Sequence, residues 1–340
     1  MDSLTQLALG AAVGEAVLGR REGNKAILWG AIIGTVPDLD IMLYPFIDEV
    51  QELAIHRGLS HSFVFAAGFS LVLGRLLYSV YPGKNTSWLR WAWMSFLALF
   101  THALLDTFTN YGTQLFQPFT DYPVAFSTIS IIDPLYTVPL LVGVIVALFL
   151  KRADPRRLRI NRLGLILSSA YLLLTVANKA YVTSVFAGSV ERQLGGYERL
   201  HTNPSLFNNL LWIGIAERSD TLYVGYYSLL DADREVALQA VPKRTAQLAP
   251  YLNDAPVRRL LWFSKGFFAL EEAGGKLTFN DVRFPRSDLW FGAGGEYLFS
   301  FELVLSPDAT AVETFTSADT SPRLTGELWS RFVGRVMGRE

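Results

Sequence analysis

Apolar residues gather in the first half of the chain as a series of blocks separated by short polar connections. Pro134 to Leu150 is a run of 17 residues without a charge, and Leu163 to Asn178 is another of 16. Trp91 to Leu105 is charge-free with His102 neutral. Ala26 to Tyr44 is interrupted by Asp38 and Asp40, Ser62 to Tyr81 by Arg75, and Leu4 to Leu18 by Glu15. Each block approaches the roughly 17–25 residues a helix needs to cross a hydrocarbon core. Blocks of this kind in series predict an α-helical membrane bundle of five or six helices over residues 1–182, the first tilted or lying at the interface. The alternative is a soluble helical core with a few very apolar helices.

From Thr183 the pattern changes. Leu222 to Leu230, Leu261 to Leu270, Lys276 to Phe284 and Glu296 to Leu305 are rich in aromatic and β-branched residues with partial alternation, which predicts strands. Gly274-Gly275 predicts a hairpin turn, and Leu324 to Met337 a helix. Residues 183–340 thus read as a soluble, mostly β (α+β) extracytoplasmic domain. His201-Thr202-Asn203-Pro204-Ser205 is expected in a surface turn, and Trp88, Trp91 and Trp93 in an interfacial belt.

Charge fixes the expected orientation. Twelve basic residues, among them Arg20, Arg21, Lys25, Arg75, Lys84, Arg90 and the Lys151–Arg162 group, occupy alternate connections. The remaining connections, Pro45 to His61 and Asn110 to Ser130, hold only Arg57. Positive residues stay cytoplasmic, so the latter connections and everything after the sixth block are expected outside, in a multi-pass membrane protein. Arg20 and Arg21 follow the first apolar block instead of preceding it, unlike a secretory signal. Lys plus Arg is 30 against 31 Asp plus Glu, a net charge of -1 without the basic excess of a nucleic-acid binder. An apolar fraction of 51% with only 18% charged residues excludes disorder, and the absence of cysteine excludes thiol catalysis and cysteine-based zinc sites.

The ionisable residues inside the apolar half are the candidate chemistry, because a charge at membrane depth costs several kcal/mol unless paired or metal-bound. They are Asp38 and Asp40 after the second block, His56, Arg57 and His61 before the third, His102 and Asp106 ending the fourth, and Asp133 opening the fifth. Topology drawn from Lys and Arg alone brings the histidines and acids to one membrane face. His102 and Asp106 stand at i and i+4, on one helical face. Imidazole and carboxylate without thiolate suit zinc, with manganese or iron as alternatives, in a hydrolytic site. Six or seven donors exceed one tetrahedral ion, so two metals are an option. Asp38 and Asp40 alternatively cap a helix or pair with Arg57, His102 alternatively sits hydrogen-bonded in the core, and Asp133 alternatively caps its helix beside Pro134.

At these residues the chain resembles the YdjM-like family of inner-membrane proteins regarded as metal-dependent hydrolases. The likeness runs through Met1-Asp2-Ser3-Leu4-Thr5-Gln6, Pro37-Asp38-Leu39-Asp40, His56-Arg57-Gly58-Leu59-Ser60-His61-Ser62, Thr101-His102 with Asp106, Tyr111-Gly112-Thr113-Gln114 and Ile132-Asp133-Pro134, over roughly the first 180 residues. The family is distantly similar to zinc-dependent phospholipase C and single-strand nucleases. The resemblance implies one to three divalent ions, zinc favoured, held by Asp38, Asp40, His56, His61, His102, Asp106 and Asp133. It implies hydrolysis of a phosphoester; a site at headgroup depth points to a phospholipid or lipid-linked phosphate at the outer leaflet, with Asp40 expected as general base and Arg57 expected to neutralise the phosphate. Many members carry a histidine near the start of the first helix, where this chain has Gln6. The expected partners are membrane lipids and a lipid or phosphoester substrate, with no nucleic acid; protein partners are open. A metal-binding transporter and a non-enzymatic regulatory scaffold are the competing readings.

Overall fold

The computed structural model describes residues 1–81, 86–284, 286, 295–318 and 325–339. Lys84 and Leu324, used in the sequence reading, lie outside the described residues. The chain divides into two units. The first comprises residues 1–45, 55–176 and 206–208, and the second residues 46–54, 177–205 and 209–340.

The first unit is helical: α1 (Ser3–Glu22), α2 (Asn24–Thr35), a 3-10 segment (Pro37–Phe46), a 3-10 turn (Leu59–His61), α4 (Phe63–Val80), α5 (Trp88–Asp106), α6 (Pro134–Phe149) and most of α7 (Pro155–Leu194), while α3 (Glu49–Ile55) lies almost wholly in the second. Local chemistry sets several boundaries. The Asp2 carboxylate accepts from Thr5 N at 3.0 Å, the Ser62 hydroxyl from Phe65 N at 3.1 Å, and the Asp133 carboxylate from Leu135 N at 3.1 Å with Pro134 in the first turn. Pro37 follows the end of α2, and the chain bends there by 44° into the 3-10 segment.

Five or six spanning helices were expected. By length and composition, α4 and α7 can each cross a membrane, and the bent pair of α2 with the 3-10 segment makes a third. The others fall short for identifiable reasons. The α6 helix has 16 residues, and α5 carries Arg90, three tryptophans and His102. The α1 helix is buried along most of its length. Its Ala8, Leu9, Ala12 and Val13 pack with Ile27, Leu105, Tyr136, Leu140 and Val144 as the centre of the bundle, not as a face for lipid. Of the tryptophans expected in a belt, Trp93 is exposed but Trp91 is fully buried among Leu18, Ile33 and Leu99. The 40 residues of α7 are about 60 Å long, twice a hydrocarbon core, so the helix runs without a break past residue 182.

Four glycines determine how closely α1 and α2 approach. Gly10 and Gly14 face Gly30 and Gly34, each pair four residues apart. A Cβ on Gly14 would lie 2.1 Å from the Ala26 carbonyl oxygen, and one on Gly10 would lie 2.3 Å from that of Gly30. Small residues at this spacing let two helix backbones touch where apolar lipid offers no driving force for association.

The bundle has two chemically distinct ends. At one, Arg157 is buried and forked onto Glu15 at 2.6 and 2.7 Å and donates to Asn24 at 2.7 Å, while Arg152 donates to the Arg21 carbonyl at 2.9 Å. Lys25 lies over the Tyr81 ring. Arg157, counted in the sequence reading among the basic residues expected on the cytoplasmic side, is the internal partner of the acid that interrupts the first block. The other end holds Gly34, His61, Asp106 and the start of α1.

The second unit contains two antiparallel four-stranded meanders. One is β1 (Arg199–Pro204), β2 (Leu211–Arg218), β3 (Thr221–Ser228) and β4 (Gln239–Pro242); the other is β5 (Phe268–Ala273), β6 (Lys276–Asp281), β7 (Ser300–Leu305) and β8 (Val312–Ser317). Ile213, Ile215, Leu222, Val224, Phe267, Ala269 and Val282 form a shared core. Gly274 and Gly275, both at positive φ, join β5 to β6 in a two-residue turn. Two expectations are corrected. Leu261–Ser264 ends the amphipathic helix α9 (Ala255–Ser264), and a strand begins only at Phe268 after the left-handed Lys265. His201 lies within β1, opposite Ile215, not in a turn. Two further helices, α8 (Thr245–Leu248) and α10 (Gly326–Val336), complete the unit.

The glycine contact makes a measurable difference. Gly14→Val is expected to destabilise the protein by about 3 kcal/mol or more, because the added atoms meet backbone that cannot move aside. Gly68→Ala, which has open space around it, should stabilise by up to about 1 kcal/mol. Unfolding titrations in mixed micelles compare the two.

Candidate metal centre

Three elements deliver four donors to one point. The 3-10 segment after Pro37 carries Asp38, the short turn before α4 carries His61, and the last two turns of α5 carry His102 and Asp106. Nε2 of His61 and Nε2 of His102 stand 3.2 Å apart. Oδ1 of Asp38 is 3.4 Å from each. Oδ2 of Asp106 is 3.4 Å from Nε2 of His61 and 3.6 Å from Nε2 of His102. His61, His102 and Asp106 are buried, and the Asp38 side chain alone keeps solvent access, at 24%.

The surrounding hydrogen bonds orient these donors. Nδ1 of His102 lies 2.6 Å from the Gly34 carbonyl, which can only accept, so Nδ1 carries the proton and Nε2 turns a lone pair inward. Nδ1 of His61 lies 3.0 Å from the Ser60 hydroxyl, which leaves its Nε2 facing the same point. Oδ2 of Asp106 is buried without a hydrogen bond, while Oδ1 accepts from Gln6 Nε2 at 2.8 Å and from the Met1 ammonium. Lone pairs that converge in this way repel one another unless a proton or a cation lies between them.

A cation meets that condition, and the distances suit one. Zinc bonds to imidazole nitrogen and carboxylate oxygen at about 2.0–2.2 Å in tetrahedral geometry, which sets donor–donor separations of about 3.3–3.6 Å. The five measured separations run from 3.2 to 3.6 Å. Asp38, His61, His102 and Asp106 are the group that could hold a metal ion among the described residues, with all four donor atoms within 4.8 Å of one another.

The other residues singled out from the sequence fall around this group or away from it. Asp40 stands beside it: Oδ2 accepts from Arg57 N at 2.9 Å and lies 3.8 Å from Nδ1 of His61, while Oδ1 lies 3.4 Å from Nδ1 of His56. His56 packs edge-on against Tyr44 and Tyr111 and reaches the surface. Arg57, in a left-handed backbone conformation, is buried with Nη1 donating to Thr109 Oγ1 at 2.7 Å and Nε 3.4 Å from Oδ2 of Asp106. Asp133 is not in the four-donor group. It caps α6 and accepts from the Tyr171 hydroxyl at 2.9 Å.

Sequence reasoning missed the support for the donors. Gln6 noted only a departure from the family pattern, yet its amide also donates to the His102 carbonyl at 3.3 Å and so ties α1 to the last turns of α5. The usable signal was a Thr5-Gln6 pair at the start of an apolar helix. The Gly34 carbonyl carries no side-chain signature, and only the Gly10/Gly14 and Gly30/Gly34 spacing could have suggested that α2 lies so close.

Comparison with known proteins adds to this geometry. Uncharacterized protein YfhP of Bacillus subtilis (strain 168) is 31% identical over 144 residues, which cover 39% of this chain and 42% of that protein. The alignment therefore spans about two fifths of the length of this relative. No solved structure matches. The family described as YdjM inner membrane protein matches residues 1–182, more than half of the chain and all four donors. The chain belongs to the YdjM inner membrane protein family.

Proposed function

We propose that this protein is a membrane-bound, metal-dependent hydrolase whose centre is one divalent ion, zinc favoured, held by Asp38, His61, His102 and Asp106. The observation that carries the reading is the set of donor separations between 3.2 and 3.6 Å around inward-facing lone pairs. An ion there supplies Lewis-acid activation of water and charge stabilisation at the reacting centre.

The protein's own residues do the rest. The Gly34 carbonyl and Ser60 hydroxyl orient the two imidazoles, and Gln6 orients Asp106, the kind of outer support that fixes ligand geometry. Asp40, held by the Arg57 N–H, serves as general base, and Arg57 contributes positive charge toward an anionic substrate. Burial of His61, His102 and Asp106 excludes bulk water from all but the Asp38 side.

A phosphoester on a phospholipid or lipid-linked phosphate is the substrate class we favour. Directly after the accessible Asp38, the 3-10 segment exposes Leu39, Ile41, Met42 and Leu43, an apolar surface suited to lipid beside the one open flank of the site. In this reading the bundle of residues 1–182 crosses the membrane with the centre at the outer leaflet, and residues 183–340 form the extracytoplasmic domain. The separation of the centre from the basic end of the bundle supports that orientation. It also disfavours a transport site, which would lie near the midplane.

Elemental analysis of the full chain in lipid nanodiscs should find about one divalent ion per chain. His61→Ala and His102→Ala should lose it, while Asp133→Asn should retain it. Phosphorus NMR of phospholipid and lipid-phosphate substrates should show turnover that falls at least 100-fold in His102→Ala. A reporter fused after Thr183 should be active only outside the cytoplasm. Bound metal without turnover of any phosphoester would favour a scaffold, and absence of metal from the wild type would end the hydrolase reading.

A further inference from the structure

The connection from α5 to α6 has a composition that the metal donors do not explain. Between Asp106 and Asp133 its one charged residue is Asp121. Thr113, Gln114 and Leu115 are buried, whereas Phe116 is 47%, Phe119 84% and Tyr122 63% exposed. Water is a poor surrounding for three aromatic rings on one short loop, and exposed apolar surface of this kind marks a contact with lipid or protein. Membership of a membrane family favours lipid.

The loop is closed on itself and fastened to the site. Thr113 and Val124 exchange backbone hydrogen bonds at 2.9 and 3.0 Å, so residues 114–123 form an excursion between them. Gln114 N donates to the Arg57 carbonyl at 2.9 Å, and Phe63 N donates to the Leu115 carbonyl at 3.0 Å. Those two bonds hold the root of the loop on either side of the turn that carries His61. The Phe116 ring meets Phe63 edge-on at 5.6 Å, and Tyr111, just before the loop, meets His56 at 5.0 Å. Within the excursion, Phe119 N and Thr120 N both donate to the Phe116 carbonyl, at 2.9 and 3.4 Å, and Tyr122 N donates to Thr120 Oγ1 at 3.2 Å. Internal bonds of this kind let non-helical backbone approach lipid, where an unmet polar group is costly. Aromatic rings favour the boundary between headgroups and acyl chains, and a charge at the tip, here Asp121, opposes deeper entry.

We infer that the Thr113–Val124 loop dips into the lipid boundary beside the metal centre and that Phe119 and Tyr122 receive the acyl chain of the substrate lipid. The inference rests on the lipid-substrate reading and deepens it. The loop makes the chain, and not the phosphoester alone, a determinant of turnover.

The protein has no cysteine, so Phe119→Cys and Tyr122→Cys each offer a single attachment point for a nitroxide. In phosphatidylcholine nanodiscs, collisions of the label with oxygen, which concentrates among acyl chains, should exceed those with a water-soluble nickel chelate at both positions. Predominance of the nickel chelate at either position would overturn the inference. For substrate binding, Phe119→Ser should lower kcat/KM for a long-chain lipid phosphate about tenfold more than for a water-soluble aryl phosphate, and Phe119→Leu should largely restore it. Equal effects on the two substrates would overturn the loop's part in binding the chain, with circular dichroism and metal content confirming intact variants. The collision measurement needs neither metal nor turnover. A wild type that hydrolyses neither substrate would therefore end the hydrolase reading, while oxygen and nickel still decide whether the loop lies in lipid.

Discussion

Two imidazole nitrogens and two carboxylate oxygens lie within 4.8 Å of one another in the interior of a helical bundle. Acceptors so arranged repel, and burial removes the water that would screen them. A positive charge at their centre converts that repulsion into attraction. The Gly34 carbonyl makes the demand explicit, because by accepting the Nδ1–H of His102 it leaves Nε2 of a neutral ring facing the centre as an acceptor. The fold around the site serves chiefly to hold four donors from three separated stretches of chain in this relation.

Backbone contact is what makes that possible. The Gly10, Gly14, Gly30 and Gly34 interface lets α1 and α2 touch, so that a carbonyl of α2 comes within hydrogen-bonding range of a histidine on α5 and Gln6 of α1 reaches Asp106. At the far end the buried Glu15–Arg157 pair fastens α1 to the start of α7, and Asn161 Nδ2 donates to the Ala12 carbonyl at 2.8 Å. Removing one member of such a buried pair typically costs about 3–5 kcal/mol, since the other is left charged and unmatched. The bundle is therefore locked by polar contacts at both ends and by bare backbone between them.

Much of this was legible from residues alone, and the failures have physical causes. Asp38, His61, His102 and Asp106 stand out because an ionisable group in an apolar stretch is costly without a partner. That argument identifies residues under constraint, so His56, Asp40 and Asp133, which lie outside the four-donor group, were read together with it. The 3-10 segment turns about 120° per residue, which sends Asp38 and Asp40 in different directions. The left-handed Arg57 reverses the chain between His56 and His61. By length and composition two to three helices reach the span expected of five or six, and α1, read as a tilted or interfacial first helix, packs at the centre of the bundle. In the second unit, β1 went unseen because Arg199–Pro204 lacks apolar alternation, and its place in the sheet comes from pairing with the hydrophobic β2.

X-ray absorption at the zinc edge of the purified, zinc-loaded protein reads the central geometry most directly. The account predicts a single ion with four nitrogen and oxygen neighbours at about 2.0–2.2 Å, two of them showing imidazole scattering, and no second metal within 4 Å. A shell of six oxygens without imidazole, or a close metal–metal distance, would contradict it.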